Sequence, residues 1–303
     1  MTCSRFWVTV LLLAPLWLGC SHESGHVDGM RPDSLVYLVH NEVFRITIDG
    51  NRKESLGRVG YNRYRSGWPR TLPDGRVAVL GDEWGIIYPY VTDGDGRFAK
   101  TGVTNVMVHD SLAGLTINGQ SRLILTVTPW SATKALIHSI DVDDNTVQKV
   151  ASQKSGQLLH PSPYDEGRIL AVRTHDAGSN IEVLDVSTAS EVPPTPIVLG
   201  HVEWPWLATQ PVRLPDGRVA FLRIAADDTS ELPTGNVYCI EPDGRIVEAG
   251  FMTVIALTVV GKYLVMESGG MDGVSDLVAT DFANPPFNIT RTPYVSEHLT
   301  WSD

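Results

Sequence analysis

The sequence predicts an all-β fold, a β-propeller of six four-stranded antiparallel blades, and three observations support this prediction. The heptapeptide LPDGRVA occurs at residues 72–78 and again at residues 214–220. Related turn-and-strand units recur 41 to 50 residues apart, a period typical of propeller blades. Each unit also contains a later strand that ends in an acidic turn, such as the IDG of residues 48–50. Together these features predict repeated antiparallel meanders.

The glycine of the repeated turn marks each unit. Gly75 and Gly217 belong to the two identical copies, and Gly167 lies in the related segment YDEGRILAV. Weaker copies place three other residues at the marker position: Ser34, Gly119 and Gly261. The strand that follows a marker is apolar at successive positions, as in residues 77–80. This pattern predicts a strand buried on both faces between neighbouring blades.

The acidic segments between strands predict hairpin turns. Asp-Gly and Asp-Asn pairs accept the positive φ of tight turns and so join antiparallel strands. The segments 93–96 and 141–145 are rich in aspartate but lack the full spacing of an EF-hand calcium loop. We therefore interpret both as turns.

The last residues predict how the ring closes. Trp301 to Asp303 look like the start of a blade that stops before its turn, and Pro32 to Ser34 supply the missing turn. We expect Ser296 to Ser302 to form the innermost strand of blade one, so that the C-terminal strand joins blade one. The propeller then spans residues 32–303, and closure hides sheet edges that would otherwise pair with other chains.

The repeat also resembles that of a known family. L-P-D-G-R followed by an apolar strand, with NITRTP at residues 288–293, resembles the repeat of TolB-type six-bladed propellers. The resemblance extends over residues 31–303 and implies the same fold.

The N-terminus resembles a bacterial lipoprotein signal. Arg5 precedes an apolar stretch of 13 residues that ends in WLGC, too short to cross a bilayer core that needs about 20 residues. We expect a signal peptide over residues 1–19, a lipid on Cys20 and a polar tether over residues 20–31. Ser21 replaces the aspartate that retains such proteins at the inner membrane, which favours an outer-membrane lipoprotein facing the periplasm or the cell surface. The alternative is an ordinary secretory signal that leaves Cys20 free.

Charge and cysteine content narrow the functional classes. The net charge is −11 and no Lys/Arg cluster stands out, so we expect no nucleic-acid partner. Beyond the signal and Cys20, only Cys239 remains, and a cysteine in a strand is expected to be a small core residue. We expect no cofactor.

One propeller face is predicted to carry a binding site. Loops between blades and loops between second and third strands share that face, and they are rich in aromatic and arginine residues, the usual anchors of interfaces. The candidates are Tyr61, Arg63, Tyr64, Arg65, Trp68, Trp84, Trp130, His201, Trp204 and Trp206. The ligand would be a protein, a peptide or a glycan of the envelope. The alternative is that these rings pack between blades.

The central channel is the other candidate site. Its innermost strands are predicted to carry Arg70, His160, Gln210, Glu297 and His298. Lyases that resemble the TolB type hold a metal with histidines and a glutamine, which implies His160, Gln210 and His298 here as an alternative. Polar networks within the channel would explain the same residues. We favour a non-catalytic binding or scaffold role over a metal-dependent carbohydrate enzyme or a purely structural module.

Overall fold

The computed structural model of the protein describes eleven stretches of the chain: 34–39, 42–59, 69–83, 86–93, 95–101, 106–129, 136–152, 157–187, 195–228, 233–269 and 275–290. Every regular element in these stretches is a β-strand, which confirms the predicted all-β fold. Among the described residues there is no helix long and apolar enough to cross a membrane. The predicted signal peptide, Cys20 and the tether lie outside the described residues.

Six antiparallel sheets follow one another along the chain, and within each sheet consecutive strands pair. Blades 1 and 2 contain β1 (Ser34–Val39), β2 (Glu42–Thr47), β3 (Lys53–Arg58), β4 (Arg70–Thr71), β5 (Val77–Glu83), β6 (Ile86–Thr92) and β7 (Phe98–Lys100). Blades 3 and 4 contain β8 (Val106–Ile117), β9 (Gln120–Pro129), β10 (Leu136–Asp141), β11 (Val147–Ser152), β12 (Gln157–Asp165), β13 (Arg168–His175), β14 (Gly178–Asp185) and β15 (Ile197–Glu203). Blades 5 and 6 contain β16 (Trp206–Arg213), β17 (Val219–Ala225), β18 (Asn236–Ile240), β19 (Ile246–Glu248), β20 (Val254–Val260), β21 (Tyr263–Gly269), β22 (Ser275–Thr280) and β23 (Phe287–Asn288).

Six hydrophobic clusters fill the spaces between consecutive blades and show that the blades form a ring. The cluster that closes the ring joins blade 6 to blade 1, where Leu35 and Tyr37 pack with Val265 and Leu277. The described part of blade 1 has three strands, and the strand predicted to complete it, Ser296 to Ser302, lies outside the described residues. The six-bladed propeller is therefore confirmed, and the C-terminal strand stays a prediction.

The strand after each repeated turn is buried on both faces, as its sequence predicts. In blade 2, Val77 and Val79 pack toward blade 1, whereas Ala78 and Leu80 pack toward blade 3. In the second copy, residues 219 and 221 pack toward blade 4 and residues 220 and 222 toward blade 6. Successive side chains of a strand point to opposite faces, so an apolar run serves two interfaces at once.

The two LPDGR turns have the same local structure. Gly75 and Gly217 have φ of 89° and 90°, a region that glycine enters without a steric penalty. In each turn the aspartate accepts a hydrogen bond from the backbone N–H of the following arginine, at 3.0 Å for Asp74 and 3.1 Å for Asp216. The arginine of the first copy, Arg76, also forms an ion pair of 2.8 Å with Asp143 of blade 3. The repeated heptapeptide thus forms a structural turn between two strands, and Arg76 in its first copy links blade 2 to blade 3.

The aspartate-rich segments are hairpin turns, as predicted. Asp93 joins β6 to β7, and its carboxylate accepts hydrogen bonds from the backbone of Asp95 at 2.9 Å and Arg97 at 2.8 Å. Asp141 accepts in the same way from Asp143 at 3.0 Å. These carboxylates stabilise the turns by binding backbone N–H groups.

Candidate functional site

The strand order places two kinds of connection on opposite faces of the ring. The loops between blades and the loops between second and third strands lie on one face, which we call the loop face. The remaining hairpin turns lie on the other, the turn face. Seven predicted binding residues lie outside the described residues: Tyr61, Arg63, Tyr64, Arg65, Trp68, Trp84 and Trp130. The predicted residues His201, Trp204 and Trp206 are described and lie together where blade 4 leads into blade 5.

The best-defined feature of the loop face is a group that we call the tryptophan corner: His175, His201, Trp204, Trp206 and Arg223. Trp204 and Pro205 form the turn between β15 and β16, and the peptide bond between them is cis. The side chain of Trp204 is 58% exposed and that of Trp206 is 39% exposed. Two large rings, two residues apart in the sequence, are therefore partly exposed to solvent at this turn.

Backbone hydrogen bonds hold the turn between two neighbouring loops. The N–H of Trp204 donates to the carbonyl of Ala177 in blade 4, at 3.1 Å. The carbonyl of Pro205 accepts from the N–H of Ala226 in blade 5, at 2.8 Å. Because the turn is fixed at both ends, its backbone is ordered before any ligand binds. Binding therefore loses less conformational entropy than it would at a flexible loop.

Two histidines extend the corner on its blade 4 side. The rings of His175 and His201 stack with centroids 5.4 Å apart and an angle of 7° between their planes. Nδ1 of His201 lies 2.8 Å from Oδ1 of Asn180, which orients the ring. The flat stack adds aromatic surface next to the exposed tryptophan.

An arginine supports the corner on its blade 5 side. The guanidinium of Arg223 lies 4.6 Å from the ring centroid of Trp206 and 5.1 Å from that of Tyr238. Its Nη1 donates to the Tyr238 hydroxyl at 3.1 Å. Cation–π contact and this hydrogen bond hold the Trp206 ring in place. Sequence reasoning missed Arg223 and His175. Trp84 was a candidate because it was expected in a loop between a second and a third strand. The same reasoning would have found His175, since His175 ends the second strand of blade 4.

Among the described channel candidates, Gln210 makes clear structural contacts. Gln210 sits in a bulge of β16 with φ of 48°, and His160 has φ of 53° in the corresponding bulge of β12. The side-chain amide of Gln210 donates to the Ile255 carbonyl at 2.9 Å and accepts from the Leu257 N–H at 3.1 Å. Both halves of the amide thus bind the backbone of the next blade. Glu297 and His298 lie outside the described residues.

Among the described residues, one of the implied metal ligands is already engaged by the backbone. The Gln210 oxygen that would bind a metal already accepts a backbone hydrogen bond. Within the stretches that the structure describes, no group of three or more His, Cys, Asp or Glu side chains converges to hold a metal ion. Gln210 is thus held by the backbone of blade 6, and the implied ligand His298 lies outside the described residues.

Cys239 is a core residue, as predicted. Its side chain is 2% exposed within the cluster between blades 5 and 6. Burial raises the pKa of the thiol to about 11, because the thiolate would lose its hydration. The thiol is therefore protonated at neutral pH and a poor nucleophile.

Known structures share this architecture. TolB from Acinetobacter baumannii superposes with a TM-score of 0.65 at 12% identity, and the match covers 84% of this chain and 63% of that one. The chain has the TolB-like six-bladed propeller fold. It spans less than two thirds of the length of that TolB. A scan against protein-family models finds no match, and a search of curated proteins finds none either.

Two other structures show how widely this fold is used. A chain of a nidogen/laminin complex matches with a TM-score of 0.57 at 12% identity, over 84% of this chain and 92% of that one. Oligogalacturonate lyase in complex with manganese matches with a TM-score of 0.54 at 12% identity, over 87% of this chain and 80% of that one. The fold thus supports both protein binding and chemistry, and function depends on the side chains of the individual site.

Proposed function

We propose that this protein is a non-catalytic binding propeller of the bacterial envelope, which captures a protein, peptide or glycan with its loop face. The observation behind the proposal is the tryptophan corner, where two exposed indole rings stand on a turn held by hydrogen bonds at both ends. Tryptophan and arginine are enriched among the residues that dominate binding energy, and tryptophan buries a large area with only two rotatable side-chain bonds.

The site is suited to recognition without chemistry. Trp204 and Trp206 supply flat apolar surface, and the stacked histidines add polar edges that can bind a peptide group or a sugar hydroxyl. Binding with orientation is therefore the role that these groups support.

The proposal includes the cellular location of the protein. Residues 1–19 resemble a lipoprotein signal, and a lipid on Cys20 with a tether over residues 20–31 would attach the propeller to the outer membrane. The propeller would then face the periplasm or the cell surface. Replacement of Cys20 by serine is expected to release the protein from membranes in cell fractionation. Retention of the Cys20→Ser protein in the membrane fraction would contradict the lipid anchor.

The carbohydrate-enzyme alternative receives less support. The match to oligogalacturonate lyase in complex with manganese, at 12% identity, concerns the fold alone. The implied ligand Gln210 is committed to the backbone of blade 6. A purely structural envelope module is the remaining alternative, and it predicts no ligand for the exposed tryptophans.

Capture of envelope components by immobilised protein tests the binding role. We expect the double variant Trp204→Ala/Trp206→Ala to lose the bound partner, whether protein, peptide or glycan. Ile197→Ala is the matched control, because Ile197 is 55% exposed at the opposite end of β15. Equal recovery of the partner by the double variant and the control would refute the role of the corner, and no specific partner for the unmodified protein would favour the structural module.

A further inference from the structure

Exposed carboxylates flank the turn that carries the two tryptophans. Asp176 directly precedes the residue whose carbonyl accepts from the N–H of Trp204. Asp227 directly follows the residue whose N–H donates to the Pro205 carbonyl. Glu203 ends β15 directly before Trp204. All three acidic residues are exposed, so the turn has a carboxylate on its blade 4 side and another on its blade 5 side.

These carboxylates have no counter-ion in the part of the chain that the structure describes. None of the three forms an ion pair with another described residue. Residues 174–212 contain no lysine or arginine, and neither do residues 226–235, which connect β17 to β18. The arginine of the corner, Arg223, instead binds the Tyr238 hydroxyl and the Trp206 ring. The corner therefore presents uncompensated negative charge beside exposed aromatic surface.

The two indole rings differ in what covers their faces. The guanidinium of Arg223 lies 4.6 Å from the centroid of the Trp206 ring. Among the described residues, no lysine or arginine lies over the ring of Trp204, which is the more exposed of the two. The face of an indole ring carries partial negative charge and attracts cations more strongly than other aromatic side chains do. Trp204 thus offers a ligand the contact that Trp206 makes with Arg223.

We propose that the tryptophan corner binds a peptide segment that carries at least two lysine or arginine side chains. This inference rests on the proposed binding role of the loop face and names the chemistry of its partner. One cation of the peptide stacks on Trp204, and others pair with Asp176 and Asp227 on the two sides of the turn. Arginine suits both contacts, because its planar guanidinium stacks on aromatic rings and binds a carboxylate through two parallel hydrogen bonds.

The charge of the corner favours a basic peptide over other partners. The carboxylates repel an acidic peptide, an anionic glycan or the phosphates of a membrane surface. A neutral glycan would stack on the indole rings but would leave the carboxylates without cations. Carboxylates on both sides of a turn match charges that are spread along an extended chain, and a peptide supplies such a chain. Opposite charge also steers the peptide toward the corner as it approaches.

Fluorescence anisotropy of labelled peptides tests the proposal. The probes are three peptides of equal length in which glycine alternates with arginine, with serine or with glutamate. We expect the arginine peptide to bind and the serine and glutamate peptides not to bind. Raising the ionic strength from about 0.1 M to about 1 M shortens the screening length from about 10 Å to about 3 Å and should weaken binding of the arginine peptide. Absence of binding by the arginine peptide, or equal binding of the serine peptide, would overturn the proposal.

Unlabelled competitors distinguish the peptide from other ligands. Maltohexaose is the neutral glycan, and spermine is a small cation without peptide groups or a guanidinium. We expect both to displace the labelled arginine peptide less effectively than its unlabelled form does. Equal displacement by maltohexaose would assign the rings to a glycan, and equal displacement by spermine would assign the site to small cations. Either result would overturn the peptide.

Charge variants locate the bound peptide. Asp176→Asn/Asp227→Asn removes one carboxylate from each side of the turn and should weaken binding of the arginine peptide about threefold or more. Asp95→Asn/Glu166→Gln is the matched control, because it removes two exposed carboxylates from hairpin turns on the turn face. The control should leave the affinity unchanged. Equal affinities of the two double variants would reveal general attraction to an acidic protein and overturn the site.

Two replacements of Trp204 separate the stacking of a cation from apolar contact. Trp204→Leu keeps apolar surface without a ring and should weaken binding of the arginine peptide about two- to fivefold, whereas Trp204→Phe should lose less. Equal losses in the two variants would contradict a cation on Trp204.

The capture experiment separates this inference from the proposed function. If Trp204→Ala/Trp206→Ala loses the envelope partner and Asp176→Asn/Asp227→Asn retains it fully, the loop face binds a partner that is not basic. The proposed function then stands, and the inference is wrong. Loss of the partner in both double variants supports the basic peptide.

Discussion

A methyl group added at Gly178 is expected to disrupt the tryptophan corner. Gly178 begins β14 with φ of 136°, and its backbone packs against the end of β15. A Cβ there would overlap the Val202 carbonyl oxygen and lie 3.1 Å from the backbone nitrogen of Trp204. The close contact is with backbone, which cannot rotate away as a side chain would. Gly178→Ala must therefore displace the end of β15 and the turn that carries Trp204.

The expected cost follows from comparison with Gly217→Ala. Gly217 has φ of 90° and open space where its Cβ would lie. Its replacement by alanine costs about 1–2 kcal/mol of backbone strain. The reduced entropy of the unfolded chain offsets about 0.4–1 kcal/mol of this cost. We expect a net loss of about 1 kcal/mol at Gly217. Gly178→Ala adds overpacking of about 1–3 kcal/mol, which brings the total to about 2–4 kcal/mol.

Urea unfolding followed by far-ultraviolet circular dichroism measures both costs. The free energy of unfolding should fall more for Gly178→Ala than for Gly217→Ala, by at least about 1 kcal/mol. Capture of the loop-face partner should also weaken in Gly178→Ala and stay unchanged in Gly217→Ala. If the two variants unfold at the same urea concentration, the close approach of Gly178 to β15 is wrong.

Three further predictions concern buried polar groups. Gln210→Leu leaves a carbonyl and an N–H of β20 without partners. It should lower the free energy of unfolding by about 2–4 kcal/mol in metal-free buffer. If Gln210 served only to bind a metal, its replacement would not change stability in that buffer. The Cys239 thiol has its pKa raised from 9.0 to about 11, so it should resist a thiol reagent at pH 8 until urea is added. Rapid labelling of the native protein would refute the burial of this thiol. The unfolded chain loses the thiol proton at lower pH than the folded chain, so the free energy of unfolding should fall as pH rises from about 9 to about 11.

The propeller itself could be predicted because its information is local and repeated. A Pro-Asp-Gly turn depends on one positive φ and on hydrogen bonds between residues two apart, such as Asp74 and Arg76. The apolar run at residues 77–80 indicates burial on both faces without any knowledge of the neighbouring blades. Repetition of such units along the chain then predicts both the number of blades and the antiparallel meander.

The site could be predicted only in outline. The segment HVEWPW identified His201 and the exposed tryptophans, but the stack on His175 joins residues from two strands. The resemblance to lyases of the TolB type implied Gln210 as a possible channel ligand. Its actual partners lie 45 and 47 residues further along the chain, on another blade. Contacts between blades depend on how sheets pack side by side, and no short segment encodes that.

The amino-acid sequence alone was sufficient for the class of fold and the joints between strands, since turn chemistry and alternation act over a few residues. Three-dimensional packing decided which side chains meet. It left Trp204 exposed rather than buried and engaged the amide of Gln210 with the next blade. The reason is geometric, because a ring of blades brings together residues that are more than 100 positions apart, and their charges and exposure depend on that approach.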